Sequence, residues 1–360
     1  MMTSTPAGGA ERLSFSSLPY LKAAFGAFAA GALALSVQPA HAVTYSFQNI
    51  INNADVTFNQ ALGINSAGTI AGYFGAGNGL AGHPNQGYTV VPPYGQANFT
   101  SENVPGSVQT QVTGLNNIRT TVGFSAPSNN GGDNNFGFVD IANTFTPVNN
   151  PNTPAMGVMV NQLLGVNGSN VAVGFYTDAV GVTHGYTYNI AGKTFSADIN
   201  DPNAGTTAGM GTTAAAIDNA GDIAGFYVAG GVTNGFVRIG NTFTTLDVPN
   251  AMATSLLGLN NFGEAVGFDI DAGGTMHGIV CNVTTLTCVN LDDPNVPAGT
   301  TTLNGVNDLG QIVGFYVDGN DNTIGLLATP TTTAPEPGSL VILASGLFGI
   351  GVAVRRRKVA

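Results

Sequence analysis

Ala216-Ile217-Asp218-Asn219-Ala220-Gly221-Asp222-Ile223-Ala224-Gly225-Phe226-Tyr227 decides the fold, because variants of it recur along most of the chain. It reads as two short strands around a tight Asn/Gly turn, with a Gly where two backbones must approach closely. In this reading a small residue opens the first strand of each copy: Gly63, Gly114, Gly165, Ala216, Gly258 and Gly305. Nine residues further on stand Gly72, Gly123, Gly174, Gly225, Gly267 and Gly314, followed by Tyr73 in the first copy and by Phe in the rest. Successive copies are 51, 51, 51, 42 and 47 residues apart, the period of a propeller or solenoid array.

A third strand follows in each copy, beginning Gly87-Tyr88, Gly137-Phe138, Gly185-Tyr186, Gly235-Phe236, Gly278-Ile279 or Gly325-Leu326. After a short turn comes a fourth, as in Asn241 to Asp247, closed by Val248-Pro249-Asn250. Four strands per repeat is the content of a propeller blade. The sixth copy has no fourth strand of its own, whereas Val43 to Ile50 reads as an orphan fourth strand ahead of the first copy. The expected fold is therefore all-β, a six-bladed β-propeller over residues 43–328 closed by its N-terminal strand. The alternative, a β-solenoid, needs capping ends that the sequence lacks.

Composition agrees. Only 8% of residues are charged, there are 51 Gly and no Trp, and few residues suited to long solvated helices are present. Between Val43 and Ala334 three basic residues stand against eighteen acidic ones. Such a surface repels phosphate backbones and excludes nucleic-acid binding, while it suits divalent cations or polar sugars.

Both ends carry addresses. Residues 1–42 read as a secretory signal: a basic n-region ending at Lys22, an apolar run from Ala23 to Val37, and Ala40-His41-Ala42 placing cleavage between Ala42 and Val43. Residues 329–334, Thr-Pro-Thr-Thr-Thr-Ala, read as an extended linker uncoupled from the core. Beyond it lie Pro335-Glu336-Pro337, an apolar segment whose expected transmembrane helix is 338–354, and Arg355, Arg356, Arg357 and Lys358, which fix its C-terminus in the cytoplasm.

This tail, residues 335–360, resembles the PEP-CTERM sorting signal. The resemblance implies recognition and processing by a membrane protease of the exosortase type, and an association with exopolysaccharide, biofilm and cell surfaces. The body resembles HAF-like extracellular repeat proteins, most closely at Gly305 to Tyr316 and Thr242 to Pro249. That resemblance implies an exported repeat fold and brings no catalytic residues.

Cys281 and Cys288 flank a turn between third and fourth strands; an oxidising compartment favours a disulfide between them, and Tyr188 and Phe195 are their counterparts in the third copy. Asp318, Asn320 and Asp321 cluster on a Gly turn and form the best Ca²⁺ candidate, set against a plain solvated turn; no other cofactor is expected. Of the histidines, His184 and His277 both precede the third-strand Gly, which marks them as repeat residues rather than a catalytic singleton; His83 is the third in the exported region. The repeat aromatics read as packing between blades. Acidic residues are spread through the repeats instead of being paired at one place. The expected role is a non-enzymatic surface or matrix protein that binds polysaccharide or partner proteins. An extracellular polysaccharide hydrolase or lyase is the alternative, with a purely structural coat protein behind it.

Overall fold

A computed structural model describes residues 43–75, 84–128 and 134–331. The signal segment up to Ala42, His83, Pro335, Glu336, Pro337, the expected 338–354 helix, Arg355, Arg356 and Arg357 lie outside the described residues. No helix among the described residues is long and apolar enough to cross a membrane.

The chain is all-β and propeller-like. Each copy supplies a first strand (Asn59–Ile64, Gln109–Leu115, Asn161–Val166, Gly211–Ile217, Ala253–Leu259, Thr302–Val306) and a second (Ile70–Phe74, Thr120–Ala126, Val171–Thr177, Ile223–Ala229, Glu264–Ile270, Ile312–Val317). Third strands follow at Gln86–Val90, Phe136–Ile141, Thr183–Asn189, Val232–Ile239, Met276–Asn282 and Thr323–Thr331. Outer strands are Phe99–Ser101, Thr144–Val148, Thr194–Phe195, Thr242–Thr245 and Thr287–Asn290. Against the last third strand lies Thr44–Ile50, in antiparallel register from Thr44↔Thr331 to Ile50↔Gly325. Four sheets are separate and four-stranded, while the third and fourth copies share an eight-stranded one. These two are joined by a single parallel bridge, Thr183↔Gly211. Isolated parallel bridges Phe58↔Thr323, Asn135↔Val160 and Met276↔Thr300 occupy the equivalent place between other neighbours.

The small residue of each copy does not open its first strand. It lies near the C-terminal end, just after a bulge in every copy: Ala61/Gly63, Val112/Gly114, Leu163/Gly165, Ala214/Ala216, Leu256/Gly258 and Leu303/Gly305. The polar residues ahead of it, such as Asn59 and Gln60, also pair in the ladder. The bulge turns the strand end toward its neighbour, so a Cβ added to Gly63 would sit 3.0 Å from the Cα of Gly114, and one on Gly305 would sit 3.1 Å from the Cα of Gly63.

The glycine nine residues on lies opposite the bulge, and its neighbour on the third strand is the residue that fills the core. Gly72↔Tyr88, Gly123↔Phe138, Gly174↔Tyr186 and Gly225↔Phe236 are register partners. Those rings are at most 2% exposed. The aromatics directly after the second-strand glycines are half-buried in five copies, with Tyr73 fully buried.

The expected linker is shorter than its composition indicates. Thr329, Pro330 and Thr331 continue the last strand, opposite Ser46, Tyr45 and Thr44. Pro330 is tolerated because the second strand has ended by Ile312↔Ala328, so this end of the ladder has a partner on one side only.

Candidate functional site

The first place to look in such an arrangement is its axis, and here the axis is structural. The turns after the first strands place Asn65, Asn116, Asn167, Asp218, Asn260 and Asn307 around one axial space. Each side chain closes its own turn: Asn116 Oδ1 accepts from the N–H groups of Ile118 (3.1 Å) and Thr120 (2.9 Å). Each Asn Nδ2 then reaches the main chain of the next copy: Asn65 to Asn116 O (3.2 Å), Asn116 to Asn167 O (2.9 Å), Asn167 to Asp218 O (2.8 Å) and Asn260 to Asn307 O (3.1 Å). Asn307 donates to Asn65 O (2.9 Å), joining the last copy to the first. A carboxylate has no donor, so Asp218 keeps its turn without making that reach. The two axial cavities are about 80 Å³ each, room for a few waters and too small for an organic ligand.

Replacing Asn307 with Ala strips acceptors from the Leu309 and Gln311 N–H groups as well as the bond to Asn65. The expected loss is about 3 kcal/mol, read from the urea midpoint. Asn307→Asp, which copies the natural Asp218, should keep most of that stability; an equal loss for both variants would show that the inter-repeat bond, not the turn, carries the effect.

The loops between second and third strands hold the polar residues singled out in the sequence. Asp318 Oδ1 accepts from the N–H groups of Asn320 (2.8 Å) and Asn322 (2.9 Å), and its Oδ2 from Asn322 Nδ2 (3.0 Å). Those bonds hold its carboxyl below the usual range, with Asn322 the largest contributor. Asp321 has a positive φ of 64° in the same turn. Asp178 and Asp271 make the same turn in other copies. Among the described residues no group of three or more His, Cys, Asp or Glu side chains is arranged to hold a metal ion. The carboxylate of Asp318 is thus occupied by its own turn.

His184 and His277 extend the two sibling turns. His184 stacks on Tyr176 with ring centroids 5.1 Å apart and lies 3.3 Å from Asp178 Oδ2 through Nε2. His277 Nδ1 is 2.7 Å from Asp292 Oδ2, and its Nε2 is 3.6 Å from Asp271. The hydrogen bond with Asp292 raises the His277 pKa above its ordinary value. Among the described residues the polar partners of both imidazoles are Asp and Asn side chains, and both rings pin a third strand to its neighbouring loops. The Asp-Pro-Asn connections are turn chemistry too, since Asp201 Oδ1 accepts from Asn203 N–H and Asp293 Oδ1 from Asn295 N–H.

Cys281 and Cys288 form a disulfide across directly paired positions. Their counterparts Tyr188 and Phe195 are likewise register partners, with ring centroids 4.8 Å apart. One covalent and one aromatic contact do the same work in two copies.

The feature that repeat reasoning missed is a groove of about 620 Å³ over the second copy. Its walls are Val104 and Pro105 from the connection after Phe99–Ser101, and Phe136, Phe138, Phe145 and Pro147 from the second copy's outer half. Asn143, Thr144 and Asn149 stand exposed at its rim. No charged residue lines it. Half-buried Phe136 and Phe145 with nearby amide groups make an amphipathic, concave surface of ligand size. The sequence signal for it was Pro147 inside a fourth strand, where the other copies have no proline; Val104-Pro105 is the first copy's form of the Val248-Pro249 closure.

Residues 333–358 match the model of the PEP-CTERM protein-sorting motif. The chain carries a PEP-CTERM sorting signal. The signal implies an exported protein that an exosortase, a membrane protease, processes, with the C-terminal region held in the membrane beforehand. No curated protein matches this sequence. Among solved structures, TolB from Acinetobacter baumannii is similar with a TM-score of 0.50 at 7% identity, over 72% of this chain and 63% of that one. The chain thus spans under two thirds of the TolB length, and the similarity is one of fold alone. Aleuria aurantia lectin follows at a TM-score of 0.45 and 12% identity, covering 80% of this chain and 100% of that one. A polysaccharide lyase of the ulvan lyase type has a TM-score of 0.41 at 13% identity, covering 77% and 79%.

Proposed function

We propose that this PEP-CTERM-tailed protein is a non-enzymatic, polysaccharide-binding component of the cell surface or extracellular matrix, built as a closed six-bladed propeller. The reading of six blades is supported by six first strands around one axial space and by the hydrogen bond from Asn307 to Asn65. In it the eight-stranded sheet is two blades joined at Thr183↔Gly211, a bridge like those between other neighbours. Residues 1–42 would direct export, and a helix over 338–354 would hold the protein in the inner membrane until the tail is cut.

The observation that carries the binding reading is the uncharged groove between Val104-Pro105 and Phe136, Phe145 and Pro147. Aromatic and proline faces match the apolar faces of sugar rings, while Asn143 and Asn149 can meet hydroxyl groups with both donors and acceptors. A glycan array followed by calorimetry tests this: a neutral polysaccharide should bind without turnover, and Phe136→Ala should weaken it at least about tenfold. Glycan cleavage would replace the reading with the lyase or hydrolase alternative, and binding unchanged in Phe136→Ala would move the site away from the groove.

A further inference from the structure

One interface departs from the repeat at three positions together. Where neighbouring copies meet, the residue that ends the outer strand of one copy packs on a second-strand and a third-strand residue of the next. Leu246 meets Ala265 and Cys281 in this way, Val148 meets Ala172 and Tyr188, and Ile50 meets Ile70 and Val90, each set within one apolar cluster. Between the first and second copies the same positions hold Glu102, Thr121 and Asp140. The equivalence is fixed by backbone bonds: Glu102 N–H donates to Gly87 O as Leu246 N–H does to Gly235 O, and Thr121 and Asp140 are register partners. Glu102 is 9% exposed, Thr121 3% and Asp140 4%.

Polar groups buried at apolar positions must find partners or lose their charge. Glu102 faces Asp140 and Thr121 directly, and Thr89 Oγ1 lies 3.5 Å from its Oε1. Glu102 Oε2 and Asp140 Oδ1 are both buried and have no donor. Two ionised carboxylates cannot donate to one another; the Thr121 hydroxyl, buried and otherwise without a partner, can serve one oxygen, and a single proton between the carboxyl groups serves the contact between them. Among the described residues the strands packed around the pair, Gln86–Val90, Phe99–Ser101, Gln109–Leu115, Thr120–Ala126, Phe136–Ile141 and Thr144–Val148, contain no Lys, Arg or His. The other titratable group on them, Tyr88, gives its hydroxyl to Asn59 (2.7 Å). Arg119 is exposed on the preceding turn.

We propose that Glu102 and Asp140 form a proton-sharing latch between the first two copies, closed when one proton bridges them and loosened when that proton leaves. Burial, then the charge of Asp140, raise the Glu102 pKa from the ordinary carboxyl range to about 7. The sign follows. The folded state holds a proton that the unfolded chain releases, so the latch's stability is fully present below the ordinary carboxyl range and is lost as pH rises towards 7. Val104 lies two residues after Glu102 and Phe138 two residues before Asp140, and both line the groove, so the latch holds the two groove walls at one spacing. That consequence rests on the binding reading above, whereas the latch and its test do not.

The test is thermal melting of the free exported protein from pH 4.5 to pH 8, wild type beside Glu102→Gln and beside the triple variant Glu102→Leu, Thr121→Ala, Asp140→Val that copies the other interfaces. Wild type should lose about 5 °C more than either variant between these limits. Hydrogen-exchange protection, corrected for the intrinsic rise of exchange with pH, should fall over Phe99–Ser101 and Phe136–Ile141 in wild type alone. Parallel melting curves for all three proteins would overturn the latch. So would a rise in wild-type melting temperature at pH 8 with millimolar Ca²⁺ that Glu102→Gln lacks, since the pair would then hold a metal cation and not a proton.

Discussion

Deleting Thr44–Ile50 is expected to abolish the folded monomer. The strand makes seven consecutive register pairs with Thr323–Thr331, so its loss bares the full edge of the last sheet. Ile50, fully buried, would leave a hole among Ile70, Val90 and Leu327. Asn59 Nδ2 would lose the Ile50 carbonyl it donates to (2.9 Å), and Tyr316 its contact with Asn49. Truncating one large apolar residue in a core costs about 2 to 5 kcal/mol, and an unpaired edge adds a route to aggregation. Together these exceed the margin of ordinary domain stability, about 5 to 15 kcal/mol, once the remaining ladder is counted. Size-exclusion chromatography of the truncated protein should show aggregate. A synthetic peptide spanning residues 43–51, added during refolding, should restore a monomer-sized complex by strand addition. A truncated chain that melts like the intact one would show that the strand is ornamental.

Gly225→Ala is expected to cost about 3 kcal/mol or more, although the change is one methyl group. A Cβ at Gly225 would lie 2.1 Å from the carbonyl oxygen of Thr213 and 2.9 Å from the Phe236 ring. The backbone oxygen belongs to the bulged strand and cannot step aside without breaking the Ala214/Ala216 register. The ring has nowhere to go because it is completely buried. The same crowding recurs at Gly72, Gly123, Gly174, Gly267 and Gly314, where the added carbon would lie 1.9–2.1 Å from a first-strand carbonyl. Gly319 is the control, with no atom within 4 Å of its virtual Cβ. Denaturant midpoints for Gly225→Ala and Gly319→Ala should differ by the whole effect; equal midpoints would mean that the second-strand glycines are kept for some reason other than space.

These glycines explain how so much of the fold could be read in advance. A period of about 50 residues with a glycine nine places after a small residue is visible because close backbone approach admits one residue type, and six copies make the pattern unmistakable. What the spacing could not convey was where the strands begin, since Asn59, Gln109 and Asn161 pair in the ladder although their composition is that of a loop. Nor could it separate Thr329 to Thr331 from a linker, because pairing with Thr44 to Ser46 depends on a partner nearly 290 residues away.

The candidate site was less legible. Asp318 and its siblings read two ways, as Ca²⁺ candidates and as solvated turns, because Asp and Asn serve cations and turns with the same oxygens, and the turn bonds exist only once the N–H groups fold back on them. The groove draws its walls from two copies, and Glu102 and Asp140 are 38 positions apart in the sequence, so neither grouping exists until the two copies pack together.

By itself the sequence determined the repeat, its turn chemistry, the opposed cysteines and the sorting signal at the end of the chain, all of which rest on local spacing and on what single residue types can do. Only the tertiary structure decided that Asn307 bonds back to Asn65 and that two acidic side chains share a buried interface. Those outcomes depend on distances between residues far apart in the chain, which are set when the sheets pack and not before.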